Sequence, residues 1–194
     1  MELAVLASRA PLPALQLPGV VPPVWAAAHY GGALRQVILG FKESGRRDAL
    51  GLLVDLLAAS VRSGLARAGT GEVLLVPVPS SRAATRRRGL VPINVLASAM
   101  LARERFPGVL CAPVLTHRRR VLDSSGLDRA ARARNLDGAV AVARAAHVSG
   151  AVCILVDDIV TTGASLAECA RALRQAGAWP CAAAVVAATP NRHR

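Results

Sequence analysis

Residues 153–165 have the sequence Cys-Ile-Leu-Val-Asp-Asp-Ile-Val-Thr-Thr-Gly-Ala-Ser. The apolar run 152–156 predicts a short strand that is buried on both faces, as in a parallel sheet. Two carboxylates, Asp157 and Asp158, follow directly, and at the end of a strand both can turn toward a cleft. A turn of small and hydroxyl residues, 161–165, comes next and leads into the apolar spacing of a helix.

This order brings two kinds of chemistry to one edge of a sheet. Open α/β sheets bind ligands beyond the carboxyl ends of their strands, and a helix N-terminus offers N–H groups and a positive dipole end to an anion. The predicted phosphate-binding turn consists of Thr161, Thr162, Gly163, Ala164 and Ser165. The neighbouring carboxylates can hold sugar hydroxyls or a metal ion. In the alternative, the two Asp residues and the turn only cap the helix.

The pattern along the chain predicts an α/β fold with a mainly parallel central sheet and flanking helices, because strands alternate with helices. The predicted strands are 72–78, 109–115, 139–142, 152–156 and 182–188, and the predicted helices are 30–41, 49–68, 92–105 and 164–175. Residues 116–137 are rich in Arg and poor in apolar residues, which indicates a functional loop or a partly disordered segment.

The composition favours one domain, or one domain with a small attachment, since the chain has 194 residues. Hydrophobic residues make up 53% of the chain and aromatic residues only 3%, so Val, Leu and Ala must build the core.

Residues 1–29 are Pro-rich and are expected to be loosely structured or draped on the core. Residues 30–70 are predicted to be a helical, hood-like part, and residues 71–190 the α/β core.

The formal net charge of +12 favours anionic partners such as nucleotides, pyrophosphate or nucleic acid. Lys42 is the only lysine and is a candidate phosphate contact. In the alternative, the arginines are merely solvated.

The four cysteines lack Cys-x-x-Cys spacing and have apolar neighbours, which indicates buried thiols in a reducing compartment. We therefore expect a cytoplasmic protein without a membrane-spanning segment.

A second basic segment, 79–89, follows the predicted strand 72–78 and therefore lies at the same sheet edge as Asp157. Its backbone N–H groups and guanidinium groups can hold a departing diphosphate. The residues selected for this role are Ser80, Ser81, Arg82 and Arg88. A solvated basic patch is the alternative.

The segment 155–165 resembles the phosphoribosyl pyrophosphate signature of type I phosphoribosyltransferases. More narrowly, the chain resembles the ComF family of competence-associated, phosphoribosyltransferase-like proteins, over residues 30–189. The supporting pieces are Tyr30-Gly31-Gly32 with Leu34-Arg35 and Lys42, Val76-Pro77-Val78-Pro79, Arg88-Gly89, Arg132 with Asn135, Gly138-Ala139, and the 157–165 segment.

The resemblance implies that residues 30–194 form a phosphoribosyltransferase-like domain that binds 5-phosphoribosyl 1-pyrophosphate with Mg²⁺. A nitrogen acceptor would displace the pyrophosphate. Asp157 and Asp158 would hold the ribose hydroxyls, directly or through the metal, and the turn 161–165 would hold the 5′-phosphate. Arg118 and Arg132 would belong to a mobile loop that closes over the site. The partners implied are a ribose phosphate, single-stranded DNA or competence proteins, and a second copy of the chain in a homo-oligomer.

Two departures from the family pattern concern zinc and the acceptor side of the site. The family commonly opens with a cysteine-rich zinc module, but this chain has no cysteine before Cys111, so zinc is not implied. Leu90-Val91-Pro92 replaces a common Phe-Asn-Gln, and residues 123–126 replace a common Gln of the mobile loop.

Two alternative functions use the same fold. In the first, the protein has no transferase activity and is a DNA-binding or DNA-uptake accessory protein. In the second, the protein is a sensor that binds the sugar phosphate without turnover.

Overall fold

A five-stranded parallel sheet lies between two layers of helices. The computed structural model describes residues 11, 12, 15, 17, 20–44, 47–80, 85, 86, 89, 91–119, 129–144 and 146–190. The strands are β1 (Val24–His29), β2 (Val73–Pro77), β3 (Val109–Cys111), β4 (Leu115–His117), β5 (Val140–Val142), β6 (Val152–Val160) and β7 (Trp179–Ala188). The helices are α1 (Gly32–Ser44), α2 (Leu50–Leu65), α3 (Pro92–Glu104), α4 (Arg129–Leu136) and α5 (Ala164–Gln175), with a 3₁₀ turn at Arg47–Ala49.

The order of the central sheet is β1-β7-β6-β2-β3, and each neighbouring pair is parallel. Helices α1, α2 and α3 bury their apolar side chains on one face of the sheet, and α5 buries its own on the other. The predicted α/β class with a mainly parallel sheet and flanking helices is confirmed. The strand predicted at 152–156 was too short, because β6 continues to Val160.

The stretch predicted as one strand, 109–115, forms two. Its first part is β3 in the central sheet, and its last residue starts β4, which pairs antiparallel with β5 in a separate ribbon. Pro113 lies between them, and proline removes a backbone donor from a strand. The segment predicted as a loop, 116–137, accordingly contains most of β4 and all of α4.

The sequence prediction missed strand β1, which falls within the segment described as Pro-rich. Val24 and Ala26 have no exposed surface, and β1 pairs with β7. Two residues before it lie alongside its outer edge: the Leu12 N–H donates to the Ala26 carbonyl (2.9 Å) and the Leu15 N–H to the Val24 carbonyl (2.8 Å). Leu12 and Leu15 therefore lie against the sheet, whereas Val24–His29, also expected to be loosely structured or draped on the core, is a strand of it.

The stretch predicted as the hood, 30–70, contains two helices that lie in different parts of the fold. Helix α1 begins just beyond the carboxyl end of β1, next to the site edge of the sheet. Helix α2 packs instead across the face formed by β1, β6 and β7. Helix α2 is therefore part of the core, because its buried residues are nearly continuous.

Small residues let α2 approach the sheet closely. The Ser60 hydroxyl donates to the Val185 carbonyl at 2.8 Å. A Cβ on Gly64 would lie 3.4 Å from Ala182 Cβ. The alanines of β7 thus explain how a chain with so few aromatic residues fills its core, as the composition predicted.

The described helices include none that is long and apolar enough to cross a membrane. All four cysteines lie among the described residues and are free thiols, as predicted, three of them buried. Burial raises the pKa of Cys153 to about 11 and also raises that of Cys169.

Candidate functional site

Strand β6 carries its two acidic residues past the end of its neighbour β2. The pairing between the two strands ends at Pro77 and Val156, and the N–H of the following Val78 still donates to the Val156 carbonyl at 2.9 Å. Beyond that point β6 continues to pair only with β7. Asp157 and Asp158 therefore lie at the carboxyl edge of the sheet, where ligands bind in this class of fold.

The backbone of β6 directs the two acidic side chains toward opposite faces of the sheet, but their carboxylates remain in contact with each other. Leu155 packs in the cluster that includes residues of α5, and Val156 in the cluster that includes residues of α1. Because strand side chains alternate, Asp157 faces α5 and Asp158 faces α1. The alternation of β6 continues past residue 156, yet it does not separate the two carboxylates. That both turn toward one cleft stays a prediction.

Asp157 lines a cavity of about 260 Å³ together with the predicted phosphate-binding turn, Thr161–Ser165. Leu136 of α4 and Leu166 of α5 also border it. Burial is the largest cause that raises the pKa of Asp157 well above its ordinary value, and the nearby Asp158 carboxylate raises it further. One Asp157 oxygen, Oδ1, accepts the Asp158 N–H at 2.9 Å.

The turn owes its shape to Gly163, which is the N-cap of α5 and has a left-handed conformation with φ of 80°. A Cβ at this position would come within 2.6 Å of Leu17 Cδ1. The backbone N–H of Ala164 lies 3.4 Å from Thr162 Oγ1. Thr161 and Ser165 are exposed, so the hydroxyl groups and the first turn of α5 border the same cavity as Asp157.

Asp158 forms an ion pair with Lys42, the only lysine of the chain. The distance between Lys42 Nζ and Asp158 Oδ2 is 2.8 Å, and their side chains are 25% and 12% exposed. Helix α1 holds the lysine at the site edge because Leu34, Ile38 and Phe41 on the same helix are buried in the core. The sequence indicated Lys42 only as a candidate phosphate contact, and its partner was not foreseen.

A second cavity, of about 450 Å³, opens beside the carboxyl end of β2. Its walls include Pro77, Pro79, Ser80, Thr85, Arg86, Asn94 and His117. The His117 Nε2–H donates to the Pro79 carbonyl at 3.1 Å, which ties the β4 ribbon to this loop. Of the residues predicted to bind pyrophosphate, Ser80 lines this cavity. Ser81, Arg82 and Arg88 lie outside the described residues.

The segment predicted as a mobile loop is anchored at both ends. At its start, exposed Arg118 donates its backbone N–H to the Ala139 carbonyl at 2.8 Å. Arg132 lies in α4, and its side chain lies outside the described part of the chain. Just beyond its far end, buried Glu168 accepts the N–H of Val140 in β5 at 2.8 Å and pairs with Arg171 at 2.6 Å.

A magnesium site is compatible with this edge only if substrate oxygens complete it. The described residues contain no group of three or more His, Cys, Asp or Glu side chains that could hold a metal. Mg²⁺ usually keeps several waters and binds one or two carboxylates plus substrate phosphates. Asp157 can serve as such a carboxylate because it lines the cavity, whereas Asp158 already has an ammonium group on Oδ2.

Three contributors to this region gave little or no signal in the sequence. His117 and Glu168 act through backbone partners distant in the chain, and a single sequence does not reveal such pairs. Leu17 lies in the Pro-rich segment and packs on Gly163. Lys42, in contrast, could be selected from the sequence, because it is the single lysine among many arginines.

Comparison with known proteins gives a likeness only among solved structures, and it is distant. No protein-family model matches the sequence, and no curated protein matches it. Among solved structures, adenine phosphoribosyltransferase from Leishmania donovani aligns with 12% identity and a TM-score of 0.42, over 87% of this chain and 72% of that chain. At this TM-score the alignment adds nothing to the strand order and site geometry described above.

Proposed function

We propose that the protein is a type I phosphoribosyltransferase-like enzyme that binds 5-phosphoribosyl 1-pyrophosphate and transfers the phosphoribosyl group to a nitrogen acceptor. The main support is the cavity of about 260 Å³ that a carboxylate, Asp157, shares with the turn Thr161–Ser165. A carboxylate suits sugar hydroxyls, and a turn at a helix N-terminus suits a phosphate. The finer resemblance to ComF proteins extends the proposal to a role linked to competence or DNA uptake in the cytoplasm, in a homo-oligomer.

The proposed reaction breaks the bond between the anomeric carbon and the pyrophosphate oxygen and forms a bond from that carbon to nitrogen. The leaving pyrophosphate takes the electron pair, and the acceptor nitrogen loses a proton. Positive charge grows on the sugar as the first bond lengthens. Preorganised negative groups stabilise such charge, which is the role proposed for Asp157 and Asp158.

Different residues are proposed to bind the different groups of the substrate. The hydroxyl and N–H groups of 161–165 hold the 5′-phosphate, and the carboxylates hold the ribose hydroxyls, Asp157 directly or through metal. Mg²⁺ would neutralise charge on the diphosphate. The loop that follows β2, with Ser80, Ser81, Arg82 and Arg88, would bind the leaving group. Closure of the segment with Arg118 and Arg132 would exclude water from the reactive sugar.

A calorimetric titration tests the binding half of the proposal. The wild-type protein should bind 5-phosphoribosyl 1-pyrophosphate in the presence of Mg²⁺, and the variant Asp157→Asn/Asp158→Asn should lose that binding. Asp55→Asn is the matched control, because Asp55 of α2 is a carboxylate that also has a basic partner, Arg103 of α3. Equal, weak and salt-sensitive binding in all three proteins would reject the proposal, since it would report only attraction to a basic surface.

Turnover needs a second measurement. Pyrophosphate release, followed with a panel of nitrogen acceptors, should occur with at least one of them and should disappear in Asp157→Asn/Asp158→Asn. Tight binding without release for any acceptor would favour the sensor alternative.

DNA binding is the rival function, and the net charge of +12 favours it. Single-strand binders usually add stacking aromatic residues to a basic groove, and the chain has only two Trp, one Tyr and two Phe. Reversing the charges of residues 86–88 should abolish DNA affinity if the rival is correct. An unchanged affinity would exclude that loop as the DNA-binding surface.

A further inference from the structure

The single lysine of the chain lies on one of the two carboxylates of the candidate site. We infer that Lys42 is the resident counter-cation of Asp158, that it occupies the place a divalent metal ion would take on this carboxylate, and that it supplies positive charge to a bound phosphorylated sugar. The identity of the ligand rests on the proposed function. The competition between Lys42 and a metal does not.

The geometry makes the ammonium group and a metal ion mutually exclusive at Oδ2 of Asp158. Lys42 Nζ lies 2.8 Å from Asp158 Oδ2, and Asp158 as a whole is 8% exposed. A divalent ion such as Mg²⁺ would need to approach that oxygen to about 2.0–2.1 Å. Two cations cannot share so enclosed an oxygen without strong repulsion, so the metal would have to displace the lysine.

The ion pair is not needed to attach α1 to the core. Leu34 and Ile38 are 2% and 0% exposed, so apolar burial already holds the helix. An enclosed ion pair is also a weak source of stability, because the loss of hydration offsets the attraction between the charges. Its position at the carboxyl edge of the sheet, where ligands bind, indicates a function in binding.

Lysine suits this role better than the arginine that the chain uses elsewhere. Its ammonium group is a compact charge on a flexible stem, whereas an arginine fork holds a carboxylate through two fixed bonds. Lys42 can therefore turn from Asp158 to a phosphate oxygen when a sugar hydroxyl binds the carboxylate. Its side chain remains 25% exposed, which leaves the amine accessible to a ligand.

Metal affinity tests the inference without any activity assay. We would titrate Mn²⁺ alone, by electron paramagnetic resonance, into the wild-type protein, Lys42→Met, Lys42→Arg and the control Arg103→Met. Lys42→Met should bind Mn²⁺ about tenfold more tightly than the wild type, a difference of about 1.4 kcal/mol. Lys42→Arg and Arg103→Met should match the wild type. Equal Mn²⁺ affinity in the wild type and Lys42→Met would overturn the inference.

Ligand affinity provides the second test. In EDTA, Lys42→Met should bind 5-phosphoribosyl 1-pyrophosphate about tenfold more weakly than the wild type, and added Mg²⁺ should restore much of the loss. Unchanged affinity in EDTA would overturn the inference. If Lys42→Met does not fold, Lys42→Gln removes the charge but keeps a polar group beside Asp158, and it should show the same loss in EDTA; unchanged affinity would overturn the inference in the same way.

The two proposals can fail separately. If the wild-type protein binds no 5-phosphoribosyl 1-pyrophosphate with or without Mg²⁺, the proposed function fails, and the Mn²⁺ comparison still decides the role of Lys42. If the wild type binds the ligand and Lys42→Met behaves identically, only the inference about Lys42 fails.

Discussion

Glu168 and Val140 form a hydrogen bond between a helix side chain and a strand backbone: Oε1 of Glu168 accepts the Val140 N–H at 2.8 Å. Arg171, one turn further along α5, donates from Nη2 to the Val140 carbonyl at 3.0 Å. Together the two side chains satisfy both backbone groups of Val140, as a neighbouring strand would. They thereby attach β5, the strand that follows the segment predicted as a mobile loop, to the helix whose N-terminus borders the candidate site.

Removal of this attachment should destabilise the protein. Glu168→Ala leaves the buried Val140 N–H without its acceptor and Arg171 without its carboxylate, so we expect a loss of about 2 kcal/mol in the free energy of unfolding. Urea denaturation measures the loss, and hydrogen exchange at Val140 should accelerate. Gln175→Ala is the control, because Gln175 contacts the exposed side of the same arginine. A similar loss in both variants would contradict the assignment.

Acid should weaken the same attachment. Burial by itself raises the pKa of Glu168, but Arg171 and the N–H groups of Val140 and Gly138 outweigh burial, so the pKa lies below its ordinary value. Because the folded-state pKa is lowered, the stabilisation is complete above the ordinary value and is lost as the pH falls through the folded value. Urea midpoints measured between neutral pH and about pH 3 should therefore fall less steeply in Glu168→Gln. Parallel curves would show that Glu168 does not contribute.

Gly163→Ala should destabilise the turn for two reasons, a left-handed backbone and a contact with Leu17. The backbone alone costs about 1 kcal/mol for a residue other than glycine, and Gly69→Ala measures that part, since its φ is 75° and no atom lies within 4 Å of the added Cβ. We expect Gly163→Ala to lose clearly more than Gly69→Ala in thermal unfolding. Adding Leu17→Ala should reduce the excess; if it does not, Leu17 is not the obstacle.

Helix α2 should respond in opposite ways to substitutions on its two sides. Gly64→Leu would force α2 away from Ala182 and should destabilise the protein by about 1–3 kcal/mol. Gly51→Ala lies on the exposed side of the same helix, where alanine should stabilise it by up to about 1 kcal/mol. Denaturant midpoints measure both changes, and a loss of stability in Gly51→Ala would contradict the orientation of the helix.

The sequence predicted most of the sheet because its strands are buried on both faces. Unbroken apolar runs such as 73–77 and 152–156 are a clear signal of such strands, and the helices that follow them are bounded by proline or glycine. β1 escaped prediction because prolines precede it and alanine, the main residue of the strand, is not typical of strands. The α4 helix escaped because its sequence is mostly Arg and Ala and has no apolar stripe.

The candidate site was predictable in composition but not in orientation. The run 157–165 located the carboxylates and the turn, and the structure brings Asp157 and the turn to one cavity. The extension of β6 beyond residue 156 was not predicted, because the end of a strand is not encoded by apolar periodicity. The Lys42 partner depends on how α1 docks, which is a tertiary property.

Leu12 and Leu15 determine what one border of the sheet presents to other molecules. With Leu12 and Leu15 hydrogen-bonded along β1, that border offers few unpaired amides, and the opposite border, β3, is only three residues long. Exposed strand borders recruit further strands and begin aggregation. Shortening the chain to start at residue 22 should consequently produce a protein that self-associates, even though every residue of the candidate cavity remains.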